Sequence, residues 1–245
     1  MYAHNRIHKL LGILVGIGMT TSLVEAAPLA TWDSSWTQFA AEDQSTYYLN
    51  PGYGGQSFDA EYLYYQFDSN TGNLSIGLQT GFDITGDGKI IYSGATYYTG
   101  DLALSFDGAT LGNAGSYEYA IDFGTYGSDA AGLYAVSAWS DVLYPQHSIS
   151  NPLAMTSGSL ISALSLDMGS GIAGGQTSYF VKATINIADL GLSYIDLNNI
   201  DVHWTMSCGN DAIDGHINVP EPGTLLLLGT ALLGLVGSRR IKPKA

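Results

Sequence analysis

The chain has 245 residues, 46% hydrophobic and 12% charged, with 22 acidic side chains against eight lysines and arginines and a net charge of −14. That balance excludes binding of nucleic acid by phosphate neutralisation and offers no basic face to anionic lipid headgroups. The aliphatic and aromatic content is too high for an acidic disordered chain, and a single cysteine, Cys208, excludes a disulfide framework.

The N-terminus begins with a positive region, Arg6, His8 and Lys9, followed by an apolar run from residue 10 to 19. Val24-Glu25-Ala26-Ala27 then supplies small residues for cleavage. This order predicts a secretory signal peptide over residues 1–27, formed as a helix, handed to the Sec export machinery and removed near Ala27 or Pro28.

Residues 28–218 are expected to form one extracytoplasmic domain, since about 190 residues suit a single core. Within them only Lys89 and Lys182 oppose twenty carboxylates, so the mature domain carries a net charge of −18. Such a surface fits a soluble protein that binds cations or neutral ligands.

Period-two alternation recurs along this domain. It predicts strands over 58–67, 73–82, 102–106, 117–123, 133–139, 179–187 and 202–206, with a hairpin turn at 68–73 and a helical turn near 187–192. The glycine-rich segments 50–57 and 169–176 read as long loops. Many short strands between regular turns predict an all-β domain, a two-sheet antiparallel β-sandwich of jelly-roll-like kind, with a closed barrel as the alternative.

Four groups of residues are candidates for chemistry. Asp83, Thr85 and Asp87 place side-chain oxygens at alternate positions before Gly88, as the first half of a calcium loop does. The twelfth position is Gly94, so Asp101 or Asp107 would have to complete a Ca2+ site from another loop; the competing reading is a plain Asp/Gly turn. Asp59 and Glu61 share a strand face, a spacing that a glycoside hydrolase can use, although a solvated face or a metal ligand is the simpler account. His147, His203 and His216 lack metal-ligand spacing, and no nucleophile motif accompanies Cys208, so no enzyme is expected. Tyr62, Tyr64 and Tyr97 belong to a dense set of tyrosines whose rings can stack on sugars or fill half-buried strand positions.

The tail has its own order. Pro220-Glu221-Pro222 is held extended by its prolines. An uncharged, leucine-rich run from 223 to 237 follows, shorter than the ~20 apolar residues of a comfortable membrane span. Arg239, Arg240, Lys242 and Lys244 close it as a cytoplasmic stop. This arrangement over 219–245 resembles the PEP-CTERM sorting signal of exported bacterial surface and matrix proteins. The resemblance implies a C-terminal transmembrane helix, transient residence in the inner membrane and cleavage near Pro220-Glu221-Pro222 by an exosortase. It also implies delivery to the cell surface or matrix of a Gram-negative-type bacterium, where exopolysaccharide is the partner at hand. The segments Phe58-Asp59-Ala60-Glu61, Gly100-Asp101-Leu102-Ala103-Leu104 and Trp204-Thr205-Met206-Ser207-Cys208 are similar to a group of PEP-CTERM proteins without an assigned activity.

Overall fold

A computed structural model describes residues 27–41, 55–125, 127, 129–193 and 197–219. Thirteen strands run through them: β1 (Thr37–Ala41), β2 (Ala60–Asp68), β3 (Asn73–Thr80), β4 (Lys89–Tyr92), β5 (Ala95–Tyr98), β6 (Leu102–Ser105) and β7 (Tyr119–Asp122). Then come β8 (Gly132–Trp139), β9 (Met155–Ala163), β10 (Asp167–Ala173), β11 (Gln176–Asn186), β12 (Ile200–Thr205) and β13 (Ala212–Ile217). Two antiparallel sheets result, β1-β2-β3-β11-β10 and β13-β12-β6-β7-β8-β9, with β4 and β5 forming a separate hairpin.

The fold is the all-β sandwich that the alternation predicts. Leu63, Leu74, Ile76, Leu78, Val181 and Ile185 from one sheet share a single core with Leu102, Leu104, Ile121, Leu133, Val202 and Trp204 from the other. Late strands return to lie beside early ones, β11 on β3 and β12 on β6, which are the long Greek-key returns of such sandwiches. Trp204 sits fully buried, its indole N–H donating to the Gly100 carbonyl at 3.2 Å and to Thr99 Oγ1 at 3.3 Å.

The 68–73 turn forms as expected. Asp68 accepts from the Asn70 and Gly72 amides, and Gly72 takes the left-handed backbone (φ 73°) that the turn requires. Residues Ile187–Leu190 form a single 3-10 turn closed by left-handed Gly191.

The expected loop at 169–176 is corrected: residues 167–173 are strand β10, in seven-residue register with β11. Glycine is present there because neighbours occupy the side-chain space. A Cβ on Gly169 would lie 2.9 Å from the Phe180 ring, and one on Gly171 would lie 2.8 Å from Leu29.

The segment before β1 crosses the outer face of the first sheet. Trp32 stacks on Tyr64 at 4.3 Å and lies over Gly77. Lys182 donates to Thr31 at 2.5 Å, pairs with Asp167 at 3.3 Å and sits 5.4 Å above the Trp32 ring. A methyl on Gly77 would meet Trp32 at 2.5 Å, so Gly77→Ala should lower stability by about 1–3 kcal/mol. Urea unfolding followed by tryptophan fluorescence will show this as a lower midpoint.

Among the described residues no helix is long and apolar enough to cross a membrane. The signal-peptide positions before Ala27 and the tail from Pro220 onward lie outside the described residues.

An aromatic cleft and a paired histidine hairpin

The β4–β5 hairpin carries Tyr92 and Tyr97 to the rim of a cleft of about 330 Å³. Phe58, from the 3-10 turn Gln56–Phe58, stands edge-on to both rings, 5.3 Å from each. Tyr144, Gln146 and His147 form the opposite wall, and Cys208 and Asn210 of the β12–β13 turn make the floor. The Tyr97 and Tyr144 hydroxyls meet at 3.3 Å across the cleft, a contact that pushes the Tyr97 phenol up. Cys208 donates its thiol hydrogen to Asn210 Oδ1, and burial pushes the thiol up to about 11. It therefore stays protonated at neutral pH where it lines the cleft floor.

Of the three candidate stacking tyrosines, Tyr97 lines this cleft. Tyr62 and Tyr64 are buried elsewhere, and the ring stacked on Tyr64 is Trp32 of the same chain. Sequence reasoning missed Tyr144 and gave His147 no role; they lie on either side of Pro145 in a segment without strand periodicity.

The candidate calcium residues do not converge. Asp83 Oδ1 accepts from the Thr85 amide at 3.0 Å and hydroxyl at 2.6 Å, closing its own turn. Asp87 pairs with Lys89 at 2.7 Å. Asp101 is buried and accepts from the Met155 amide at 2.8 Å. Burial raises the Asp101 carboxyl well above the usual range, with nearby Asp122 adding to the effect, and burial pushes Asp122 up to about 6. Asp107 accepts from Ser105 at 3.2 Å. Among the described residues no three His, Cys, Asp or Glu side chains are grouped to hold a metal.

Glu61 lies under the N-terminal segment rather than facing a cleft. It accepts from Gln56 and Ser178 at 2.7 Å each and from Gln79 at 2.5 Å. Gln79 in turn accepts from the Leu29 amide and the Trp32 indole, so the carboxylate anchors the crossing segment. Asp59 contributes its carbonyl to Thr80 and Gly81.

On the outer face of the second sheet, two identical pairs face each other across the β12–β13 hairpin. His203 Nδ1 lies 2.8 Å from Asp214, and His216 Nδ1 lies 2.8 Å from Asp201. Asp201, Asp214 and His216, together with Tyr117 and Leu111, border a second groove of about 260 Å³. His203 is fully buried, and its Nε2 lies 3.1 Å from the carbonyls of both Ser150 and Pro152. The two carbonyls can only accept, so Nε2 carries a hydrogen, while Nδ1 faces the Asp214 carboxylate. Burial alone would lower the imidazole pKa, but the Asp214 carboxylate and the two carbonyls raise it overall. His203 thus ties residues 150–152 to the sheet, in surroundings that favour its charged form.

β13 ends at Ile217, and the buried Val219 donates its amide to the Leu197 carbonyl at 3.2 Å. Immediately there, residues 218–240 match the family described as the PEP-CTERM protein-sorting motif. The chain carries a PEP-CTERM sorting motif. It is accordingly an exported, exosortase-targeted protein, processed at the membrane and sorted to the cell surface. No curated protein and no solved structure matches the chain. The PEP-CTERM residues Pro220, Glu221 and Pro222 and the basic stop of Arg239, Arg240, Lys242 and Lys244 lie outside the described residues. Because Val219 is the last described core residue, a cut at the PEP-CTERM tripeptide removes no part of the described sandwich.

Proposed function

We propose that this is an adhesive component of the cell surface or biofilm matrix, without enzymatic activity, whose aromatic cleft holds exopolysaccharide. The observation that carries the reading is the cleft itself: three tyrosines and a phenylalanine from separate segments, with hydroxyl, amide and imidazole groups between them. Flat aromatic faces bind the apolar faces of sugar rings, while interleaved polar groups hydrogen-bond their hydroxyls. A carboxylate-rich domain with no basic surface suits a neutral polymer better than a polyanion. In this reading the N-terminal signal passes the chain to the Sec machinery. The 223–237 run then holds it briefly in the inner membrane of a Gram-negative-type cell until exosortase acts.

Glycan-array binding of the processed protein, followed by titration of the best ligand, tests this. Tyr97→Ala and Tyr92→Ala should each weaken binding about tenfold, the equivalent of ~1.4 kcal/mol. The same titration in EDTA should be unchanged, since no carboxylate is among the described residues that line the cleft. Absence of binding to every glycan, or tyrosine variants that bind as wild type, would remove the cleft from the account.

A further inference from the structure

Strand β10 is one edge of its sheet, and among the described residues it pairs with β11 alone. Edge strands are usually blunted by bulges, prolines, charge or covering segments. The other edges show such devices. β1 is bulged against β2, β9 carries repeated register shifts against β8, and β13 packs beside β1 and β2. β10 has neither bulge nor proline, and keeps unbroken register over all seven residues. It has no charge after Asp167, and that carboxylate is already paired with Lys182.

The residue pattern of β10 is also self-complementary. Met168, Ser170 and Ile172 share one face by period two, with Met168 packed on the core and Ile172 71% exposed. Two antiparallel copies centred on Ser170 would set each Met168 opposite an Ile172 and each Gly169 opposite a Gly171. The two serines would meet at the axis and the Asp167 residues would lie at opposite ends. A net charge of −18 makes copies repel, and from Met168 to Ala173 this edge adds no charge to that repulsion.

We propose that β10 is the interface of a two-fold symmetric dimer, in which a second copy of this chain adds its own β10 antiparallel. The two five-stranded sheets then become one ten-stranded sheet, and both copies of Ile172 are covered. This rests on the strand order and residue pattern, not on the cleft.

Sedimentation of the processed protein over a concentration series tests it. Wild type should sediment at twice the monomer mass. Ser170→Glu and Ser170→Lys each place like charges face to face at the axis on an exposed site, and each should sediment as a folded monomer. An equimolar mixture of the two should recover the doubled mass. A wild type that stays monomeric, a Ser170→Glu protein that still dimerises, or a mixture that fails to pair would each overturn the proposal.

Discussion

Replacing His203 by alanine should lower the unfolding free energy by about 2–4 kcal/mol, because it opens a cavity and orphans two carbonyls together. The Asp214 carboxylate is 39% exposed and can recover water, whereas the Ser150 and Pro152 carbonyls on Nε2 lose a buried donor. The wild-type contribution also depends on pH, and its sign follows from the raised imidazole pKa. Stability from His203 is complete below the unfolded value of ~6.5 and is lost as pH rises through the higher folded value. The Asp122 carboxyl, pushed up to about 6, acts in a lower window that opens near the unfolded ~3.9. Urea midpoints measured from mildly acidic to alkaline pH should therefore fall in wild type. The His203→Ala protein should show a smaller fall above about pH 6.5, the remainder coming from groups such as Asp101 and Cys208 that burial also raises; an identical slope in both proteins would show that His203 is not charged.

Replacing Glu61 by alanine should have a comparable effect, about 3–5 kcal/mol, by a different route. Three donors, on Gln56, Gln79 and Ser178, converge on this buried carboxylate. Removing it leaves those donors unmatched inside the protein, at roughly 1–3 kcal/mol each before relaxation. Gln79 is also the link to Leu29 and the Trp32 indole, so the crossing segment should loosen with it. The measurable consequence is a red shift and weaker protection of tryptophan emission before global unfolding. Glu61→Gln keeps one acceptor oxygen and should recover part of the loss. A variant with native emission and an unchanged midpoint would mean that the segment is held by Trp32 stacking and Lys182 instead.

Much of the sandwich was legible because inward residues alternate along β3, β7, β11 and β12, whereas β2 breaks its alternation at a bulge between Ala60 and Tyr62. β10 was not legible, since its glycines imitate a loop while serving close packing against Phe180 and Leu29. The stacking role assigned to tyrosines could be placed only by tertiary structure. Tyr62, Tyr64 and Tyr97 look alike in sequence, yet a tryptophan from outside the sheet buries Tyr64. The histidine pairs did carry a signal: Asp201-Val202-His203 and Asp214-Gly215-His216 repeat one spacing on two strands. Antiparallel register sets each histidine opposite the other strand's aspartate. That pattern becomes readable once the two strands are recognised as a hairpin.

The buried Val219, two residues beyond the end of β13, has a mechanical meaning. The aromatic cleft lies by the β12–β13 turn, at the far end of β13 from Val219. A polymer gripped in the cleft and a tether fixed beyond Val219 would pull along the strands of this hairpin. All its ladder hydrogen bonds would then be loaded at once in shear, the direction in which a hairpin resists rupture best, instead of being unzipped one by one.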